Sequence, residues 1–260
     1  MGQAEQILWL LNLVLVLLLA AMLTWRRLHR VYRWFFLLVC FQAMQTVGML
    51  PLDASSDVYA WAYFCTQPIL WILFILVVLE LYSLALRAHP GIASLSRWVL
   101  TASVAMAVAV AALTLSADLS RPAGQYPILV YFGVIERGLM FSLVIFLLLI
   151  TAFLFWTPIP IRRNIVLHAS LFSAYFLAAA AGLFLRNVLG YHLVGAVSMA
   201  LLVVNNICLL LWILFLNRRG EETSLVVRRW WRRTDEDRLT QQLDAVNSFL
   251  LRSAGKQGPG

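Results

Sequence analysis

The chain has 260 residues, of which 62% are hydrophobic and only 12% charged, roughly half the charged share of an ordinary soluble domain. That balance excludes a soluble globular protein and leaves a membrane-embedded one. The net charge of +8 would suit nucleic acid, but the basic residues sit on alternate linkers between apolar runs, so the charge reads as membrane topology and no nucleic-acid partner is expected.

Hydropathy and flanking charge predict an all-α polytopic bundle of seven membrane-spanning helices: Ile7–Trp25, Trp34–Leu52, Tyr59–Leu86, Trp98–Ala117, Pro127–Trp156, Ile165–Leu185 and Leu193–Leu216. The linkers are short, so residues 1–217 form one transmembrane domain and 218–260 a tail. If Met1 lies outside, the inner segments hold Arg26, Arg27, Arg30, Arg33, Arg87, Arg97, Arg162 and Arg163, while the outer loops keep Arg121 and Arg186 beside Asp53, Asp57 and Asp118. The positive-inside rule then places the N-terminus outside and the C-terminus in the cytoplasm. Arginine dominates the basic set and Ala and Leu fill the spans, which points to a bacterial inner membrane, with anionic inner-leaflet lipid as a partner. No basic residue precedes the first span, so it reads as a retained anchor and not a signal peptide.

The first span carries one polar residue, Asn12, and ends at Trp25-Arg26-Arg27, where an interfacial Trp meets the inner charges. Span two places Gln42, Gln45 and Thr46 on one helical face, suited either to interhelical hydrogen bonds or to a solute site. Tyr59 to Arg87 would measure roughly 43 Å as a helix, longer than a hydrocarbon layer of about 30 Å, and Pro68 is its natural bend. Near its inner end stands Glu80, an ionisable group inside an apolar run and hence a functional candidate. Span four is uncharged and rich in small residues, a packing helix.

Span five places Glu136 and Arg137 near the outer boundary, and with Arg186 and His192 they form a candidate outer polar cluster, or simply snorkel to the boundary. Span six shows one seam, His168, Phe172, Tyr175, Ala179, Gly182 and Arg186. His168 falls at the depth of Glu80, so the two are paired as a candidate inner polar latch. Asn205 and Asn206 of span seven join Gln42 and Gln45 as a candidate mid-membrane polar layer. In the tail, residues 226–233 interleave Arg and Trp for an anionic headgroup layer. Residues 235–252 then carry Leu239, Leu243, Val246 and Leu250 at helical spacing, a short amphipathic helix for self-association or a partner helix.

No catalytic constellation emerges, and no metal or cofactor is expected. The only lysine is Lys256 in the tail, which rules out a retinal Schiff base; no two histidines lie four apart on one span, and no phosphate loop or dinucleotide fingerprint occurs. Glu80-Leu81-Tyr82 lacks the arginine of the acidic-arginine-tyrosine motif of G-protein-coupled receptors, so nothing of that family carries over. A metal site from His29, His89, His168 and Glu80 stays geometrically conceivable. Cys40, Cys65 and Cys208 read as packed thiols, with a Cys40–Cys208 pair as the alternative. Architecture favours a sensor-like or scaffold protein relaying to a cytoplasmic or membrane partner. The alternatives are a small-solute transporter with a mid-membrane site and an intramembrane lipid-modifying enzyme.

Overall fold

The computed structural model describes residues 3–52, 56–85, 135–136, 138–140, 142–148, 161–189 and 194–225, together with Gln241 and Ala245. Apart from one two-residue strand pairing, the regular structure in them is helical. Helix α1 (Gln3–Trp25) is followed by a 3-10 turn (Leu28–Arg30), α2 (Arg33–Met49), α3 (Asp57–Ala85), a shorter apolar helix α4 (Gly138–Leu148), α5 (Arg163–Leu189), α6 (Val194–Phe215) and a single helical turn α7 (Arg219–Glu222).

Among the described residues, four segments are long and apolar enough to cross a membrane: Glu5–Trp25, Asp57–Ala85, Arg163–Gly182 and Gly195–Phe215. They coincide with the first, third, sixth and seventh expected spans. Helix α2, with 17 residues, covers the second and sits at the lower limit of a spanning length. Span five is represented only by its described stretch around α4. Span four, the Arg/Trp segment 226–233 and the amphipathic stretch 235–252 fall outside the described residues, except that Gln241 and Ala245 are helical.

These runs are helical because a backbone in an apolar environment must satisfy every N–H and C=O within its own segment. Helix α3 runs through Pro68 without a break. Helix α1 lies against α2 and α6, α2 against α3, and α5 against α6 and α3, so the five long helices close a ring. Val16, Leu19, Leu23, Val77, Val78 and Phe176 are fully buried within it. The opposite faces are equally apolar: Val14, Leu17 and Leu18 of α1 and Leu210 and Leu214 of α6 are exposed. A helix apolar on both faces is suited to lipid on one side and protein on the other.

The α5–α6 seam is close because of Gly182, where an added Cβ would meet a Val197 methyl at 3.0 Å and Leu201 at 3.2 Å. At one end of the ring α1 and α6 finish while α2 and α5 begin. The β pairing closes that end, with Ile161 opposite Leu225 and Arg162 opposite Ser224. Residues 218–225 are therefore folded onto the bundle, and the chain does not become a free tail directly after residue 217.

Candidate functional site

The arginine-rich end is organised around two carboxylates, and each is held by a different chemistry. Helix α2 starts abruptly: Tyr32 occupies its N-cap position and makes no side-chain cap bond. Its first amides would be left without acceptors. Glu80, reaching across from α3, accepts from the backbone N–H of Arg33 at 2.7 Å, Trp34 at 3.1 Å and Phe35 at 3.3 Å. An acid at a helix N-terminus also meets the positive end of the helix dipole. Glu80 is thus an N-cap supplied from a neighbouring helix.

This corrects the expected Glu80–His168 latch. His168 is fully buried, and neither ring nitrogen has a hydrogen-bond partner among the described residues. Its neighbours are rings: Tyr32 at 4.5 Å, Phe35 at 4.6 Å, Trp212 at 6.0 Å and Phe172 at 6.3 Å between centroids. Phe35 touches both groups, giving its N–H to Glu80 and its ring to His168. The start of α2 therefore provides Glu80 with acceptor-seeking amides that the histidine cannot displace.

The second carboxylate, Glu221 of α7, is the one that sequence reasoning missed. It accepts from the Tyr32 hydroxyl and from Asn164 Nδ2 at 2.6 Å, and it pairs with Arg162 at 3.0 Å. Asn164 Nδ2 also donates to the Asn217 carbonyl at 2.8 Å, and the Gly220 N–H donates to Asn217 Oδ1 at 2.7 Å. Tyr32 comes from the α1–α2 turn, Arg162 from β1, Asn164 from the first turn of α5 and Asn217 from the end of α6. Three of these segments meet on the acid itself, and Asn217 joins them through Asn164. Burial first, and then the adjoining Glu221 carboxylate, push the Tyr32 phenol above its usual pKa, so it serves as a donor. Gly220 is required by space: a Cβ there would fall inside the Asn164 amide. Arg26 closes the same end by donating its guanidinium to the Leu216 carbonyl at the last turn of α6, where the helix dipole favours a cation.

The signals for this knot were present but short. Asn217 and Gly220 are turn formers just past an apolar helix, and Glu221 and Glu222 are acids in an otherwise basic segment. A four-residue helix has too little periodicity to announce itself.

The remaining candidates divide. Gln45 donates to Thr66 Oγ1 at 2.8 Å, tying α2 to α3. Asn206 accepts from Asn12 at 2.8 Å and donates to the Leu8 carbonyl at 3.2 Å, tying α6 to α1. Gln42 and Asn205 are half-buried. The expected polar layer is therefore represented by two separate interhelical links in different seams. Of the outer cluster, Glu136 is half-buried on a helical stretch and Arg186 lies on α5, while Arg137 and His192 fall outside the described residues. Cys40, Cys65 and Cys208 are free thiols, so Cys40 and Cys208 are not paired. His29 approaches the Leu23 carbonyl at 3.4 Å, His89 is outside the described residues, and among those residues no three His, Cys, Asp or Glu side chains group as metal ligands.

Chemically, the knot is a joint. One acid holds a helix turn, two chain entries and the base of the segment beyond residue 225 in a single arrangement. Compared with protein-family models, with curated proteins and with solved structures, the chain matches none.

Proposed function

We propose that this chain is a multi-pass membrane protein of sensor or scaffold type. It lies with its arginine-rich end in the cytoplasm and passes a change in its helix bundle to the segment after residue 225, and through it to a cytoplasmic or membrane partner. The observation that carries this reading is the position of Glu221. The α1–α2 turn, β1 and the start of α5 all reach the tail's base through that one carboxylate, and the Asn217 carbonyl after α6 is tied to it through Asn164. A shift of α5 against α6 would alter the acid's partners, because Asn164 bonds both Glu221 and the Asn217 carbonyl.

Transport draws less support, because Gln45 and Asn206 are each engaged with a neighbouring helix. An intramembrane enzyme draws none from a specific group. The test is photo-crosslinking in cells from a reactive residue at position 245, with and without Glu221→Ala, at matched membrane levels. A crosslinked partner that is lost or exchanged on Glu221→Ala supports the relay. The same crosslinks in both proteins mean the joint carries no signal, and no crosslink at all removes the scaffold reading.

A further inference from the structure

The same end of the bundle presents a second feature that the knot does not use. Among the described residues, eight arginines gather there, Arg26, Arg27, Arg30, Arg33, Arg162, Arg163, Arg218 and Arg219, against three carboxylates. Two of those, Glu80 and Glu221, are already engaged. Arg26 is occupied by the Leu216 carbonyl and Arg162 by Glu221. The Arg26–Leu216 contact fixes the end of α1 against the end of α6, and it offsets the negative carbonyl end of α6. Arg27 follows Arg26 in the chain, and Arg218 and Arg219 follow Leu216 by two and three residues, so the contact draws their backbones to one junction. Arg27, Arg218 and Arg219 are exposed, and their side chains make no hydrogen bond or ion pair among the described residues. Arg27 has a left-handed backbone, φ 56°, which turns the chain out of α1 at this junction.

We infer that the junction where α1 and α6 end is a seat for the phosphodiester headgroup of one anionic phospholipid, held by Arg27, Arg218 and Arg219. Several exposed guanidinium groups carried on one junction suit a phosphate, which accepts forked donors. What selects a lipid over a soluble phosphate or a nucleic acid is the surface just inside the arginines. Trp25 is 87% exposed, and Leu214, Phe215 and Leu18 are exposed beside it. An indole at this level suits the membrane interface, and the aliphatic faces of α1 and α6 continue from it as a track for acyl chains. A soluble anion would leave that track bare. The inference rests on the membrane reading above and gives its basic end a specific ligand class. A lipid bridging α1 to the residues that enter α7 would brace the base of the knot.

The test uses the full chain, delipidated in neutral detergent and examined by native mass spectrometry with phosphatidylglycerol, with phosphatidylcholine of the same chains, and with inorganic phosphate as competitor. Phosphatidylglycerol is expected to be retained about tenfold better than phosphatidylcholine. The Arg27→Gln, Arg218→Gln, Arg219→Gln triple variant should abolish that preference, and Arg163→Gln at the same end should keep it. Arg219→Gln alone, on an exposed position, should reduce the preference about threefold and guards against misfolding of the triple variant. Equal retention of the two lipids, or an equal loss with Arg163→Gln, overturns the seat. Displacement by inorganic phosphate overturns the lipid as its source. A chain that partitions into water without detergent refutes the membrane reading itself, which is a different failure.

Discussion

Asn164 and His168 stand one turn apart on the same side of α5, both fully buried, and they live by opposite rules. Asn164 gives its amide N–H groups to Glu221 and Asn217, and the knot is built around these two bonds, while its Oδ1 is buried without a partner among the described residues. His168 gives and takes nothing among the described residues and is enclosed by four aromatic rings. A buried polar group without a partner costs about 1–3 kcal/mol, whereas a satisfied one is roughly neutral or mildly favourable. The difference separates a side chain whose donors its neighbours explain from one with no polar contact among the described residues. Breaking the first should hurt the fold, and removing the polarity of the second should not.

The largest effect is expected at Glu221. Glu221→Ala leaves the Tyr32 hydroxyl, the Arg162 guanidinium and one Asn164 donor without their acceptor, and removing one member of a buried charged network typically costs about 3–5 kcal/mol. Arg162 is partly exposed, so water recovers some of this, and a loss of about 2–4 kcal/mol is expected in reversible unfolding in bicelles. Glu221→Gln keeps one acceptor and should lose about half as much. A loss below about 0.5 kcal/mol for the alanine variant would mean the knot is not formed in the membrane.

Next comes Gly220→Ala, which leaves every donor in place and adds only a methyl group. Because that carbon would fall inside the Asn164 amide, α7 must lift away, and about 1–3 kcal/mol of stability should go with it. Pairing it with Asn164→Ala sharpens the comparison: the smaller side chain should make room for the added methyl group, so the two losses must be strongly non-additive.

The Asn12–Asn206 link should be weaker. Hydrogen bonds between membrane helices average about 0.6 kcal/mol and reach about 1.7, so a double-mutant cycle with Asn12→Leu and Asn206→Leu should return a coupling in that range. Zero coupling would put the two amides in different environments and undo the α1–α6 register.

Tyr32 offers a pH test of the knot. Its phenol is raised in the folded chain by burial and by Glu221, against an ordinary value of 10.0. A group whose folded pKa is raised contributes stability that is complete below the unfolded value and is lost as pH climbs above it. Stability should therefore decline as pH rises beyond about 10. Tyr32→Phe should flatten that decline while costing a little stability at neutral pH. An unchanged alkaline slope in the phenylalanine variant would remove Tyr32 from the knot.

How much of this was readable from the chain follows from what each interaction is made of. The apolar runs that became α1, α3, α5 and α6 carry their own explanation, because about twenty lipid-soluble residues need no partner to be helical. Glu80 stands out in the sequence as an acid in an apolar run, yet its partners are three backbone amides of α2, and backbone groups leave no trace in side-chain spacing. Asn12 and Asn206 are 194 residues apart and Tyr32 and Glu221 are 189 apart, so pairing them requires knowing that α1 lies beside α6. Depth alone suggested His168 for Glu80, since a helix pattern reports height in the membrane but not which neighbour stands between.

The smallest change is expected at His168 itself, and its sign sharpens the comparison most. His168→Phe removes two unpartnered ring nitrogens and keeps a flat ring against Tyr32, Phe35, Phe172 and Trp212. The relief of about 1–3 kcal/mol for an unsatisfied polar group is opposed by about 1–3 kcal/mol for forcing a larger ring into a filled site. The net stability change should fall within about 1 kcal/mol of zero, while Asn164→Leu one turn earlier should cost about 2 kcal/mol. If His168→Phe instead destabilises as much as Asn164→Leu, the imidazole has a partner, and an internal water bridging it to the unpartnered indole N–H of Trp212 is the group to look for. If it is neutral, the histidine is not kept for the fold, and a side chain packed against the Tyr32 ring is free to serve the relay.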